Sequence, residues 1–179
     1  MIKLIYIVLF TSFSTLIIHI SVLFLVPYYA QNNIWTRLEK TGKPYQFVNL
    51  HPSSSIHQSR DPLFLLKVCR FNLEHGPVHL TTQKTTQFWS LSAYTHDGII
   101  FYSLNDRTAL NAQLNLIIGK PIQIIELRRS IMKTNLNPVL ITQDLNEGFV
   151  ILRVFSPSFL TKKGSETFLS QATCHTFNE

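Results

Sequence analysis

Residues 4–26 read LIYIVLFTSFSTLIIHISVLFLV, from Leu4 to Val26, and contain no Asp, Glu, Lys or Arg over 23 positions. A helix of that length rises about 34 Å at roughly 1.5 Å per residue, enough to cross a hydrocarbon layer about 30 Å thick. The stretch predicts a transmembrane helix, and the remainder of the chain reads as a domain carried on an anchor. Within the span, the hydroxyls of Thr11, Ser12, Ser14, Thr15 and Ser21 can return hydrogen bonds to carbonyls one turn earlier, which lowers the cost of burying them in lipid. A lone neutral imidazole at His19 is compatible with the same span. Tyr28, Tyr29 and Trp35 come after it in the manner of aromatic residues at headgroup depth, and the chain is expected to leave the membrane along an amphipathic segment through Leu38.

A removable signal sequence has an apolar core of about 7 to 15 residues followed by small residues at alternating positions. Here the run is longer and ends in Val26-Pro27-Tyr28-Tyr29-Ala30, with bulky Tyr28 two positions before the small residue. Retention of the helix is the expectation, and the absence of cysteine before Cys69 removes the lipoprotein route. Lys3 before the span against Arg37, Lys40 and Lys43 after it leans toward a cytoplasmic domain by positive-residue counting. A very short tail ahead of a long apolar segment has instead the form of an uncleaved export signal, and a domain outside the cytoplasm is the preferred reading.

The chain divides into an anchor (1–27), a juxtamembrane segment with a polar loop (28–62) and a β-rich domain (63–179). The domain is long enough for one compact core. Residues 51–62, HPSSSIHQSRDP, lack periodicity and are bounded by proline, as a loop would be. Strands are expected over 64–73, 78–82, 88–94, 99–104, 114–118, 122–127 and 149–155. Asp97-Gly98 supplies the backbone freedom that a tight hairpin needs, and Gly119-Lys120-Pro121 a second turn. Ser158 to Gln171 reads as a terminal helix with Phe159, Leu160, Phe168 and Leu169 on its apolar face. The expected fold class is therefore a single transmembrane helix followed by a small, mostly antiparallel α+β domain with a C-terminal helix.

Two cysteines, Cys69 and Cys174, leave two readings open. In an oxidising compartment they can pair as a disulfide; otherwise they are small buried hydrophobes. Arg70 and Arg153 interrupt apolar strands, and either one, if turned inward, must find a carboxylate or carbonyl. At Ser103-Leu104-Asn105-Asp106-Arg107 a strand runs out on an amide, a carboxylate and a guanidinium. The plain reading is that Asn105 and Asp106 shape a turn while the arginines face solvent. The sharper one is an anion or peptide-carboxylate site using Arg70, Asn105, Asp106 and Arg107, with Tyr94 as exposed stacking surface and Trp89, on the alternate face, in the core.

No catalytic residue is assigned. The seven His residues show no helical metal-site spacing, the cysteines are too far apart for a local zinc knuckle, and no phosphate loop, nucleophile elbow or dinucleotide fingerprint occurs. No cofactor or metal is implied. The chain carries 16 Lys and Arg against 10 Asp and Glu, but apart from Arg128-Arg129-Lys133 and Lys162-Lys163 the positive charges are scattered, which argues against nucleic acid as a partner and for a basic solvated face, with attraction to anionic lipid as the other reading.

The segments Cys69-Arg70-Phe71-Asn72-Leu73, Gly76-Pro77-Val78, Phe88-Trp89-Ser90-Leu91-Ser92-Ala93-Tyr94 and Gly98 to Arg107, with Ile124-Ile125-Glu126-Leu127-Arg128 later, resemble the bacterial family called domain of unknown function 1254, in its short membrane-anchored α-proteobacterial branch. Such proteins carry a leading hydrophobic segment and often end near an Ala-x-Cys, which Ala172-Thr173-Cys174 resembles. The resemblance implies an inner-membrane protein with a periplasmic domain and implies no reaction. The tip Thr95-His96-Asp97-Gly98 departs from the more acidic or basic tips of relatives, so no role is carried over there. The combined expectation is a binding or envelope-structural module whose partners are membrane lipid and another envelope protein, the alternative being an envelope hydrolase acting on a cell-wall or lipid component.

Overall fold

The computed structural model describes residues 2–50, 61, 63–83, 86, 88–131 and 137–177. Helix α1 (Ile2–Thr41) is continuous across Pro27. Its apolar part, Ile2–Tyr29, is unburied by the rest of the molecule, and among the described residues it is the one helix long and apolar enough to cross a membrane. Thr11 Oγ1 donates to the carbonyls of Ile7 and Val8, Thr15 to Thr11 and Ser21 to Ile17, so these hydroxyls meet lipid already bonded. The chain is thus a membrane-anchored protein with a folded domain beyond the span.

Past Tyr29 the helix does not fade into a tether. Leu38 is buried, and the chain then turns into a short strand, β1 (Val48–Asn49). The expected polar loop falls almost wholly outside the described residues. The domain continues with β2 (Phe64–Asn72), β3 (Val78–Thr81), β4 (Trp89–Thr95), β5 (Ile100–Asn105), β6 (Asn115–Gly119), α2 (Pro121–Ile131), β7 (Val139–Thr142), β8 (Glu147–Phe155), α3 (Phe159–Ser170) and β9 (Thr173–Thr176). These strands form two sheets. The first has the order β1-β2-β8-β4-β5 and is antiparallel throughout; the second has the order β7-β6-β3-β9 and contains a parallel pair, β6 with β7.

The alternation of the strands decides what lies between the sheets. Cys69, Phe71, Leu91, Val150 and Leu152 from the first sheet meet Val78, Leu80, Leu116 and Ile118 from the second, and Phe168 and Leu169 of α3 join the same core. Trp89 is in it as well, stacked 6.0 Å from Phe168, with its indole Nε1 donating to the Ala112 carbonyl at 3.0 Å. Helix α2 covers the outer side of the second sheet through Ile124 and Leu127 on Ile117. The end of α1 covers part of the outer side of the first, Leu38 resting with Val68 and Phe149. Cys69 and Cys174 are joined by a disulfide that links β2 to β9, and so one sheet to the other, with Cα atoms 6.6 Å apart.

Two local expectations need correction. Residues 122–127 are helical, because Pro121 opens a helix at its first position, Gln123 Oε1 accepts from the Lys120 backbone N–H, and Ile124, Leu127 and Ile131 recur at helical spacing. That helix is the connection that makes the parallel β6–β7 pair possible. In α3, capped by Ser158, Phe168 and Leu169 are buried as expected, but Phe159 and Leu160 are among the most exposed side chains of the domain.

Candidate functional site

The first sheet ends on Asn72 of β2, Glu147 of β8 and Thr95 of β4, aligned by Asn72 pairing with Glu147 and Thr95 with Gly148. Beyond this row rise three connections: the turn through Glu74, the hairpin tip His96-Asp97-Gly98 and the turn Asp144-Leu145-Asn146. Between them lies a cavity of about 600 Å³. Its lining supplies four carboxylates, Glu74, Asp97, Asp144 and Glu147, with the amides of Asn72 and Asn146, the Thr95 hydroxyl and the His96 ring; Ile99 and Leu145 contribute the apolar part.

The walls are cross-braced. Asn72 Oδ1 accepts from the Glu74 N–H at 2.8 Å while its Nδ2 donates to Glu147 Oε1 at 3.4 Å. The Tyr45 hydroxyl donates to the Asn72 carbonyl, and burial pushes the pKa of that phenol up. Lys120 Nζ donates to Asn146 Oδ1 at 2.7 Å, the Leu73 N–H donates to the Asn146 carbonyl, and Gln123 Nε2 donates to the Leu73 carbonyl. Gly148 is required at the base, since a Cβ there would stand 2.6 Å from the Tyr94 carbonyl oxygen and 2.8 Å from the Phe71 ring. Gly98, at φ +83°, makes the hairpin tip. Chemically the cavity is rich in hydrogen-bond acceptors. Among the described residues no group of three or more His, Cys, Asp or Glu is arranged to hold a metal ion.

The residues singled out in the sequence lie elsewhere. Arg70 and Tyr94 both pair with Phe149, from its two sides. Tyr94 lies flat on Phe149, with ring centroids 4.9 Å apart and planes 5° from parallel. Arg70 stands 5.5 Å from the centre of the Trp35 ring and donates from Nη2 to the carbonyls of Gly42, at 2.7 Å, and Glu39, at 3.4 Å. Trp35 also meets His96 at 4.6 Å. This aromatic and cationic row is the seat on which α1 ends, and Arg70 satisfies carbonyls that a helix C-terminus leaves open.

Asn105, Asp106 and Arg107 stay together, in the turn after β5. Asn105 Oδ1 accepts from the N–H groups of Arg107 and Thr108 and from the Thr108 hydroxyl, so its amide oxygen is committed to shaping that turn. Leu66, Arg153, Ser90 and Asn105 form one cross-strand row. Arg70 is four residues and three strand spacings away from Asn105, roughly 20 Å, and the two do not share a pocket. Arg153 faces solvent. Sequence reasoning misses the cavity residues because Glu74, Asp97 and Asp144 sit in three different connections and Glu147 at the start of β8, and only the β2–β8 and β4–β8 registers bring them together. The signal present in the sequence is that Glu74, Asp97 and Asp144 each lie in a connection at the same end of antiparallel strands.

No family model matches the chain, and no curated protein matches it. Among solved structures, an uncharacterized protein from Burkholderia cenocepacia is 9% identical with a TM-score of 0.47, covering 79% of this chain and 37% of its own. The VPA0106 protein from Vibrio parahaemolyticus is 12% identical with a TM-score of 0.62, and the match covers 83% of this chain and 34% of that one. The chain spans about a third of the length of either structure, and it shares its fold with part of the Vibrio protein.

Proposed function

We propose that the protein is a bacterial inner-membrane protein whose domain lies in the periplasm and acts as a binding or envelope-structural module, with the cavity at the end of the first sheet as its binding site. The observation that carries this reading is the hollow itself: about 600 Å³, open to solvent, set on strand ends and framed by hydrogen-bonded turns with convergent polar groups. The disulfide supports the periplasmic side, because such bonds persist in oxidising compartments. Membership of the family called domain of unknown function 1254 is part of the same proposal and rests on residues 69–107. A hydrolase needs an acid, a base and an electrophile-stabilising group converging on one point; Glu126 is exposed on α2 and Asp106 lies in the Asn105 turn, both outside the cavity.

Two measurements test the reading. A reporter that functions only outside the cytoplasm, fused after Glu179, is expected to be active, and activity of a cytoplasm-only reporter at that point overturns the orientation. The combined Glu74→Gln, Asp144→Asn, Glu147→Gln variant is expected to fold, judged by its melting temperature, and to fail to restore detergent resistance to cells lacking the protein. Full restoration would remove the cavity as the site.

A further inference from the structure

We propose that the β4–β5 hairpin is a second membrane contact, with Ile99 and Ile100 seated in the headgroup layer beside α1. This inference rests on α1 as a span and not on which side of the membrane the domain occupies.

The last residues of α1 sit over the β1–β2 edge of the first sheet: Leu38 packs on Val68, Arg70 donates to the Gly42 carbonyl, and the α carbon of Gly42 faces Val48. Trp35, one to two turns earlier, lies between Arg70 of β2, Phe149 of β8 and His96, the residue after β4. Traced toward its N-terminus, the helix therefore crosses the sheet from the β1 edge toward the hairpin. The apolar segment ends at Tyr29, about 9 Å along the axis from Trp35. The helix thus leaves the sheet on the side of the hairpin, which brings the hairpin toward the lipid.

What the hairpin presents there is unusual for a water-facing turn, where small and polar residues normally dominate. The Thr95 N–H donates to the Ile99 carbonyl, so Ile99 lies across the turn from Thr95, beside His96. Ile99 and Ile100 are 61% and 56% exposed, Ile99 just before and Ile100 at the start of β5, which forms the open edge of its sheet among the described residues. Asp97 in the same turn is exposed too, which limits the contact to headgroup depth. Phe159 and Leu160 are more exposed still, but they come after Phe155 at the opposite end of the sheet, the end at which β4 begins with Trp89.

The test uses the full chain in phosphatidylcholine nanodiscs. Both native cysteines are in the disulfide, so a thiol-reactive environment-sensitive fluorophore addresses only the cysteine introduced by Ile99→Cys, or by Ile100→Cys as a second variant, with Leu160→Cys and Leu16→Cys for comparison. Expected for positions 99 and 100 is a blue-shifted emission quenched by nitroxide-labelled lipid and protected from aqueous iodide, with the reverse at 160. Quenching by lipid at 16 but iodide access at 99 and 100 overturns the hairpin contact and leaves the anchor standing. Protection from iodide without lipid quenching means that protein, such as a second copy paired on β5, covers the edge, and this also overturns it. Lipid quenching at 160 instead of 99 puts the other end of the sheet at the membrane and overturns it as well. Absence of lipid quenching at 16 removes the anchor and the inference with it.

Discussion

Arg70 shows how one charged residue can be accommodated inside an apolar strand. Its guanidinium is half-buried, and it is held by two backbone carbonyls and the face of Trp35, partners that suit a planar, multidonor cation. Arg70→Met removes both, leaves the carbonyls at the end of α1 unsatisfied and is expected to lower stability by about 2 kcal/mol. Arg70→Lys should recover only part of that loss, because a point-like ammonium cannot bond two carbonyls and stack at once. Urea midpoints in detergent check both; a Met variant as stable as the native chain would remove Arg70 as the link between helix and domain. His79 of β3 makes stability depend on pH. Its pKa is pushed below the ordinary histidine range, first by burial and then by the facing His175 ring, against the opposing bond to Asn115 at 2.9 Å. The folded state therefore holds the neutral ring. Below about pH 6.5 the unfolded chain takes up a proton that the folded one refuses, and stability falls until the lower folded value is passed. The urea midpoint should drop as pH falls through about 6.5, the ordinary histidine value, and less steeply in His79→Gln; equal slopes would show that other groups carry the change.

At the scale of elements, legibility tracks the strength of the local pattern. The Asp97-Gly98 hairpin and the strands expected over 64–73 and 149–155, observed as Phe64–Asn72 and Glu147–Phe155, can be read because strand and turn chemistry agree there. The helix over 121–131 cannot, since Ile122, Ile124, Ile125 and Leu127 change parity between 124 and 125 and also spread around a helix, so the stretch keeps to neither period. What decides is which residues find a partner: Ile124 and Leu127 are buried, Ile122 and Ile125 exposed. Ile124→Ala is accordingly expected to cost about 2–4 kcal/mol, whereas Ile125→Lys should change stability by less than about 0.5 kcal/mol. A comparable loss from both would mean that something else covers the outer face of α2. The short strands β1, β7 and β9 are illegible for a different reason, being only two to four residues long and stabilised by partners distant in sequence. The candidate cavity belongs with them: Glu74, Asp97, Asp144 and Glu147 are each unremarkable in their local sequence, and only strand pairing makes neighbours of the connections that carry them.

At the scale of the whole molecule, the two sheets are held by a shared apolar core and by one covalent link. Cys69 lies in the middle of β2, wholly buried, and Cys174 in β9, the last strand to join the second sheet. Without the bond, β9 is retained by its pairing with β3 and by the packing of Ala172 and Cys174 in the core. The bond closes a loop of 105 residues, so breaking it releases considerable freedom to the unfolded chain while leaving native contacts nearly intact. Replacing both cysteines with alanine is expected to cost about 2–5 kcal/mol and to lower the melting temperature without changing the far-ultraviolet circular dichroism. Reduction of the native protein should be slow until it begins to unfold, because Cys69 is inaccessible. The double variant melting at the native temperature would show that core packing alone fixes one sheet on the other.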